Sequence, residues 1–289
     1  MSISGKTKVC ALIGDPVEHS LSPCIQNAAF QFLRLNYVYV AFRVGREELE
    51  TAIRGVRSLK IHGLNVTMPL KEDVIRHLDR LDESAEAIGA VNTILNNKEG
   101  LIGYNTDGKG ALMALEASNQ SPADRKIVIL GAGGASRAVS YSLVKEAREL
   151  VILNRTLERA EKLAGELRSK FGDKVRYVKL CRDQIRKELE DADLLVNATS
   201  IGMSPHENKT PVDRGLLRPD LAVFDLVYDP PETRLLKEAK SVGARTIEGL
   251  TMLVYQGAAS FKIWTNKKAP IDVMMKAAKN KLMGEVRRQ

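Results

Sequence analysis

Two periods alternate in the hydrophobic pattern over the first third of the chain. "KVCALIG" (8–14), "YVYVAFRV" (37–44) and the stretch from Gly63 to Thr67 are short and apolar, and they read as strands. Between them, "SPCIQNAAFQFLRL" (22–35) and "REELETAIRGVRSL" (46–59) take up a helical period, the second placing Leu49, Ile53 and Val56 on one face. Ser22 is expected to cap the first of these helices, with Pro23 in its first turn. The β-α-β-α-β run predicts a mainly parallel sheet covered by helices. "AVNTILNNKEGLIGYNTD" (90–107) then predicts two strands around an "NNKEG" turn.

The alternation restarts near residue 109. Strands are expected near 126–130, 150–153, 175–178, 193–196, 222–225 and 244–247, with helices between most of them, which is a second doubly wound unit. "LTMLVYQGAASFKIW" (250–264) and "PIDVMMKAAKNKL" (270–282) are helical and have no strand left to follow, so they are expected to return to the first domain. The expected fold is α/β with two domains. Residues 1–108 and 249–289 form a substrate-binding, catalytic domain, and 109–248 form a Rossmann-like domain. A chain of 289 residues suits two cores better than one.

Composition narrows the function classes. With 44% apolar and 28% charged residues and no long apolar run, the chain reads as a soluble, cytoplasmic protein with no membrane segment. Three cysteines (Cys10, Cys24, Cys181) and four histidines show no ligand spacing, so no metal is expected. The net charge of +8 is scattered rather than gathered into a basic stripe with aromatics, which argues against nucleic acid and for a solvated basic surface that would also attract anionic small molecules.

"KIVILGAGGASRA" (126–138) runs from a strand through a glycine-rich turn into a helix, the context a dinucleotide fingerprint requires. Gly131 permits the tight turn, Gly133 lets the backbone approach a pyrophosphate, and the helix start offers free N–H groups. Ala132, Gly134 and Ala135 complete the turn, and Ser136 stands where a third glycine is usual. The second strand, "ELVIL", ends at "NRT". An NAD site normally has an acid there for the ribose 2′-hydroxyl, whereas this chain offers Asn154, Arg155, Thr156 and Arg159, a set suited to a 2′-phosphate and hence to NADP. Tyr141 and Lys145 have the spacing of a reductase pair, but they lie along the helix after the turn, facing away from the phosphates, and are expected to be packing and surface.

In "GLNVTMPLK" (63–71) Lys71 falls in the predicted opening turn of a helix that continues through "KEDVIRHLD". A cation there opposes the helix dipole, typically by ~0.3–1 kcal/mol. Reducing a carbonyl with a nicotinamide needs a proton donor besides the hydride, and Lys71 is the best candidate, with Asp107 of "GYNTDG" as its partner. Polar side chains at otherwise apolar strand ends surround them in sequence: Ser20, Ser22, Asn65, Thr67 and Asn92.

The ordered set "HSLSP", "GLNVTMPLK", "GAVNTI", "GYNTDG", "GAGGASRA", "NRTLERA", "NATSIGM", "DLVYDP" and "GLTMLVYQGA" resembles the shikimate dehydrogenases from about residue 12 to 260. The resemblance implies reversible NADP-dependent reduction of 3-dehydroshikimate to shikimate, with Lys71 as acid/base and Asp107 paired to it. It also implies that Ser20 and Ser22 grip the substrate carboxylate, while Asn65, Thr67, Asn92 and Gln256 hold ring hydroxyls with Tyr228 nearby. Thr199, Ser200, Leu226, Gly249 and Met252 would line the nicotinamide. The expected protein is a monomer or homodimer with a small-molecule substrate. Its rivals are a quinate/shikimate dehydrogenase using NAD or both cofactors, which "NRT" and Arg159 oppose, and an NADPH-binding redox sensor, which has no need of so complete a polar set. The net charge alone suggests a third, a nucleic-acid-binding protein with a vestigial nucleotide fold.

Overall fold

The protein's structure, a computed structural model, describes residues 3–286, and the chain divides into two compact units, 1–109 with 254–289 and 110–253. The first unit begins with β1 (Lys8–Gly14), α1 (Ser22–Phe32), β2 (Tyr37–Arg43), α2 (Leu49–Ser58), β3 (Gly63–Val66), β4 (Arg80–Leu81), α3 (Glu83–Ile88), β5 (Thr93–Asn97) and β6 (Gly100–Tyr104). Its six strands lie in the order β2-β1-β3-β5-β6-β4. β1 pairs in parallel with β2 and β3, and β6 with β4, while β5 runs antiparallel to both its neighbours. The sheet is therefore mainly parallel, with an antiparallel hairpin where "NNKEG" turns the chain. Apolar residues from β1, α2 and β3, among them Ile13, Leu49, Ile53 and Val66, close the core beneath it.

The chain enters the second unit within α4 (Asp107–Ala117). There follow β7 (Lys126–Leu130), α5 (Gly134–Leu143), β8 (Glu149–Asn154), α6 (Leu157–Phe171), β9 (Val175–Lys179), α7 (Arg182–Leu189), β10 (Leu194–Asn197), β11 (Ala222–Asp225), α8 (Arg234–Ser241) and β12 (Arg245–Glu248). All six strands are parallel, in the order β12-β11-β10-β7-β8-β9. The order reverses between β7 and β10, so the ends of those strands form the crevice where doubly wound sheets bind nucleotides. Buried β-branched and leucine runs such as "IVIL" and "LVIL" fit strands covered on both faces.

The last helices, α9 (Gly249–Thr265) and α10 (Ile271–Val286), return the chain to the first unit. The Trp264 indole donates to the Ile94 carbonyl at 2.9 Å, and the Cys24 thiol lies 3.9 Å from the Ala277 carbonyl. Among the described residues no helix is long and apolar enough to cross a membrane.

Two local expectations need correction. Ser22 is the first residue of α1 rather than its cap; Leu21 holds the cap position, and no side chain caps the helix. Lys71 lies on a turn before a five-residue 3-10 helix (Asp73–His77), not in an α-helix. The buried side chains of Leu70 and Val74 draw the segment down onto the sheet, and the chain turns into β4 before a second α-turn can form. So short an element has almost no macrodipole, and the dipole argument about Lys71 falls away.

Candidate active site

In the first unit the chemistry gathers at the ends of β3 and β5. The Lys71 carbonyl accepts from the Val91 N–H at 2.8 Å, which ties the turn carrying Lys71 to the strand carrying Asn92. The Lys71 ammonium reaches Asp107 Oδ2 at 2.5 Å, with the two side chains only 16% and 6% exposed. Asp107 Oδ1 accepts from Asn92 Nδ2 at 2.7 Å, and the Asp107 N–H donates to the Asn105 side-chain oxygen at 3.0 Å. One carboxylate oxygen is therefore fixed by an amide while the other faces the ammonium. The Lys71 ammonium makes no other hydrogen bond among the described residues. Two of its three N–H groups remain for an outside acceptor.

Behind the pair lies a buried polar network. Asn65 Nδ2 donates to the Asn92 carbonyl (2.9 Å), Thr93 Oγ1 (3.1 Å) and Ser260 Oγ (3.2 Å), and Asn65 Oδ1 accepts from the Tyr39 hydroxyl at 2.8 Å. Asn92 Oδ1 accepts from the Thr106 N–H at 2.8 Å, and Gln256 Oε1 lies 3.4 Å from both Asn92 Nδ2 and Thr106 Oγ1. Ser22 reaches the Tyr39 hydroxyl, and the Ser22 N–H donates to Ser20 Oγ at 3.2 Å. Burial pushes the Tyr39 phenol well above its ordinary range, so it stays a donor. Thr67 sits one residue beyond β3, its N–H bonded to the Ile13 carbonyl at 2.9 Å.

Lys71, Asp107, Asn65, Asn92, Gln256 and Ser22 are thus brought into one connected network. Tyr39, Thr93, Thr106 and Ser260 belong to it as well, and the sequence did not single them out. Ser260 had a signal: it stands four residues after Gln256, on the same face of α9. Tyr39 had none, because it occupies an inward position of an apolar strand and reads as core.

In the second unit Gly131 ends β7 at φ +109°, and a Cβ there would lie 2.9 Å from the Ala198 carbonyl oxygen, so only glycine lets the turn settle against the end of β10. Gly133 has open space over it, and α5 begins without a side-chain cap. Ser136 turns inward and donates to the Gly131 carbonyl at 2.6 Å. Ala132, Gly134 and Ala135 leave the helix start uncrowded. The donor set and the open turn fit a pyrophosphate. At the end of β8 the Asn154 amide donates to the Thr156 carbonyl at 2.8 Å, shaping the turn. Arg155 and Arg159 are exposed and make no ion pair among the described residues, so both guanidiniums are available to an anion.

Farther along the same sheet edge, Thr199 is fixed by Asn197, whose Oδ1 accepts from the Thr199 N–H at 3.1 Å and its hydroxyl at 2.7 Å. Ser200 is exposed and Leu226 half-buried. Gly249 packs on the Leu226–Val227 backbone, where a Cβ would approach three atoms at 2.6 Å. Met252 is 7% exposed, and the hydroxyl of Tyr228 has no hydrogen bond among the described residues. Gly249, Met252 and Tyr228 all lie in the second unit. Lys145 stands over the Tyr141 ring at 4.7 Å, an ordinary cation–π contact on the helix surface. Among the described residues no group of three or more His, Cys, Asp or Glu side chains is placed to hold a metal ion.

Residues 12–94 match the shikimate dehydrogenase substrate binding domain, 113–226 the shikimate / quinate 5-dehydrogenase family, and 249–279 the shikimate 5′-dehydrogenase C-terminal domain. The shikimate dehydrogenase (NADP(+)) of Methanopyrus kandleri is 54% identical over 280 residues, covering 96% of this chain and 97% of that one. That of Methanocaldococcus jannaschii is 50% identical, covering 97% and 99%. A crystal structure of a shikimate dehydrogenase in complex with NADP+ superposes with a TM-score of 0.91 at 49% identity, covering 97% and 98% of the two chains. On motifs, fold and full-length similarity together, the chain belongs to the shikimate dehydrogenase family.

Proposed function

We propose that the protein interconverts shikimate and 3-dehydroshikimate with NADP. The observation that carries this reading is the Lys71–Asp107 pair, an ammonium with spare donors set against a buried network of amides and hydroxyls. NADP supplies the hydride acceptor for oxidation and, reduced, the hydride for the reverse. Lys71 takes the proton from the reacting hydroxyl during oxidation and returns it during reduction. Asp107 holds the ammonium in place, and Asn92 holds Asp107. Ser20 and Ser22 bind the substrate carboxylate, while Asn65, Thr67, Asn92 and Gln256 bind ring hydroxyls.

Gly131, Ala132, Gly133, Gly134, Ala135 and Ser136 hold the pyrophosphate on the second unit. Asn154, Arg155, Thr156 and Arg159 hold the 2′-phosphate, and Thr199, Ser200, Leu226, Gly249 and Met252 line the nicotinamide. The first unit is then the substrate domain and the second the cofactor domain. Three free cysteines, one of them exposed, suit the reducing cytoplasm. The test is an assay of shikimate oxidation with NADP+ and with NAD+, read by absorbance of the reduced nicotinamide. Turnover is expected with NADP+; none with either cofactor overturns the proposal.

A further inference from the structure

Asp225, the last residue of β11, is fully buried and forms no ion pair among the described residues. Its Oδ1 accepts from Asn197 Nδ2 at 2.9 Å and from the Val227 N–H at 3.1 Å, and its Oδ2 accepts from the Thr233 hydroxyl at 2.6 Å. Thr233 in turn caps α8 by accepting from the Leu236 N–H at 3.3 Å, which commits its proton to Asp225. Three donors and no acceptor surround the carboxyl, an arrangement that fits the anion and leaves a carboxylic proton without a partner.

The charged groups of the neighbouring elements do not neutralise it. Glu248, opposite Asp225 in the β11–β12 register, has Lys240 at 3.9 Å. Arg234 at the start of α8 pairs with Glu238. Burial pushes the Asp225 pKa up to about 6, against the pull of Thr233, Val227 and Asn197. The anion therefore prevails at neutral pH.

Its place in the sheet gives the charge a use. The order reverses between β7 and β10, and the end of β8 carries the arginines, so the adenosine half of a dinucleotide belongs on the β8 side and the nicotinamide half over β10 and β11. Asp225 and Asn197 stand at those two strand ends, and through them they fix Thr199 and the Val227 N–H. The oxidised nicotinamide ring is a cation and the reduced ring is neutral. We propose that Asp225 is a positioning residue whose buried charge makes the site favour NADP+ over NADPH. This rests on the reading that the second unit binds NADP. In a protein-like dielectric two unit charges about 10 Å apart interact strongly enough to change an affinity by about tenfold.

The test measures dissociation constants of both cofactor forms without substrate, by fluorescence and calorimetry, from pH 8 to 5, for the wild-type protein and Asp225→Asn. The 2′-phosphate titrates in the same range but is common to both forms, so the ratio of the two constants cancels it. In the wild type the preference for NADP+ is expected to fall about tenfold with a midpoint near pH 6. In Asp225→Asn the ratio should stay flat and match the wild-type value at pH 5. A flat wild-type ratio, or a variant that follows the wild type, overturns the proposal while leaving NADP binding intact. Should the variant fail to fold, the wild-type series alone decides. If neither form binds, the cofactor assignment fails and this inference with it.

Discussion

Each unit holds a lysine against a carboxylate, and the two pairs differ in what closes around them. Lys126 begins β7, 5% exposed, with Glu188 at 3.2 Å and Asp191 at 2.5 Å. Glu188 is also gripped by Arg176 at 2.7 Å, and Arg176 by Glu149 at 2.5 Å, so charges alternate along a chain of five side chains. Burial opposes the charged form of Lys126, but Asp191 and Glu188 outweigh it and raise its pKa. Lys71 has one carboxylate, and spare donors beside it. The positions differ too: Glu149, Lys126 and Arg176 lie at or beside the amino ends of their strands, whereas the Lys71 turn follows the carboxyl end of β3, where α/β sheets place their chemistry. A saturated pair at the amino edge holds the fold together, and an unsaturated one at the carboxyl edge is available to react.

The sharpest way to break this contrast is to remove each amine. Lys71→Met should lower shikimate turnover ~10²–10⁴-fold with little change in shikimate binding, because the side-chain bulk stays and only the proton carrier goes. Near-normal turnover at saturating NADP+ would move the proton path elsewhere and leave Asp107 as the leading base. Next in size is the Arg155 and Arg159 pair. Neutral residues at both positions should raise the NADP+ Michaelis constant by about tenfold or more per arginine and barely touch the weaker NAD+ reaction. Equal losses with both cofactors would indicate a folding defect instead.

Lys126→Met should leave the activity of the folded enzyme unchanged and lower stability by about 2–3 kcal/mol, less than a wholly orphaned charge, since Glu188 keeps Arg176. Urea unfolding measures it, and an unchanged midpoint would deny the network its structural role. The pH dependence has a definite sign. Burial raises the Glu188 pKa, but Arg176 and Lys126 override it, and Lys126 lowers that of Asp191. Their stabilisation is fully present above the ordinary values of 4.5 for Glu188 and 3.8 for Asp191, and it is lost as the pH falls through the lower folded-state ones. The gap between wild type and variant should therefore close in acid.

Most of the architecture is legible in the sequence because it follows from period: strands of uniform apolar character, helices with one apolar face, and a glycine turn between them. The element around Lys71 is misjudged for a physical reason. "KEDVIRHLD" has helical spacing, but Leu70 and Val74 are claimed by the core and the chain must turn into β4, so tertiary packing overrides local propensity. Ser22 looks like a cap because serine before proline usually is one, yet its hydroxyl belongs with Tyr39. The polar set near the substrate residues is half legible: Asn65 and Asn92 stand out within apolar strands, whereas Tyr39 passes for core. Asp225 lies inside the "DLVYDP" motif, but nothing in one dimension shows that three donors and no cation surround it.

The first unit is discontinuous, and this gives the chain a timetable. Residues 110–253 are contiguous and have all their strands as soon as they leave the ribosome. The first unit must wait for α9 and α10, because Ser260, Gln256 and Trp264 bond to partners synthesised some 150 to 200 residues earlier. Until translation reaches them, Asn65 and Thr93 lack the Ser260 hydroxyl and the Ile94 carbonyl lacks the indole donor. The nascent protein thus acquires its nucleotide fold first, and its polar pocket is completed only once α9 has been read.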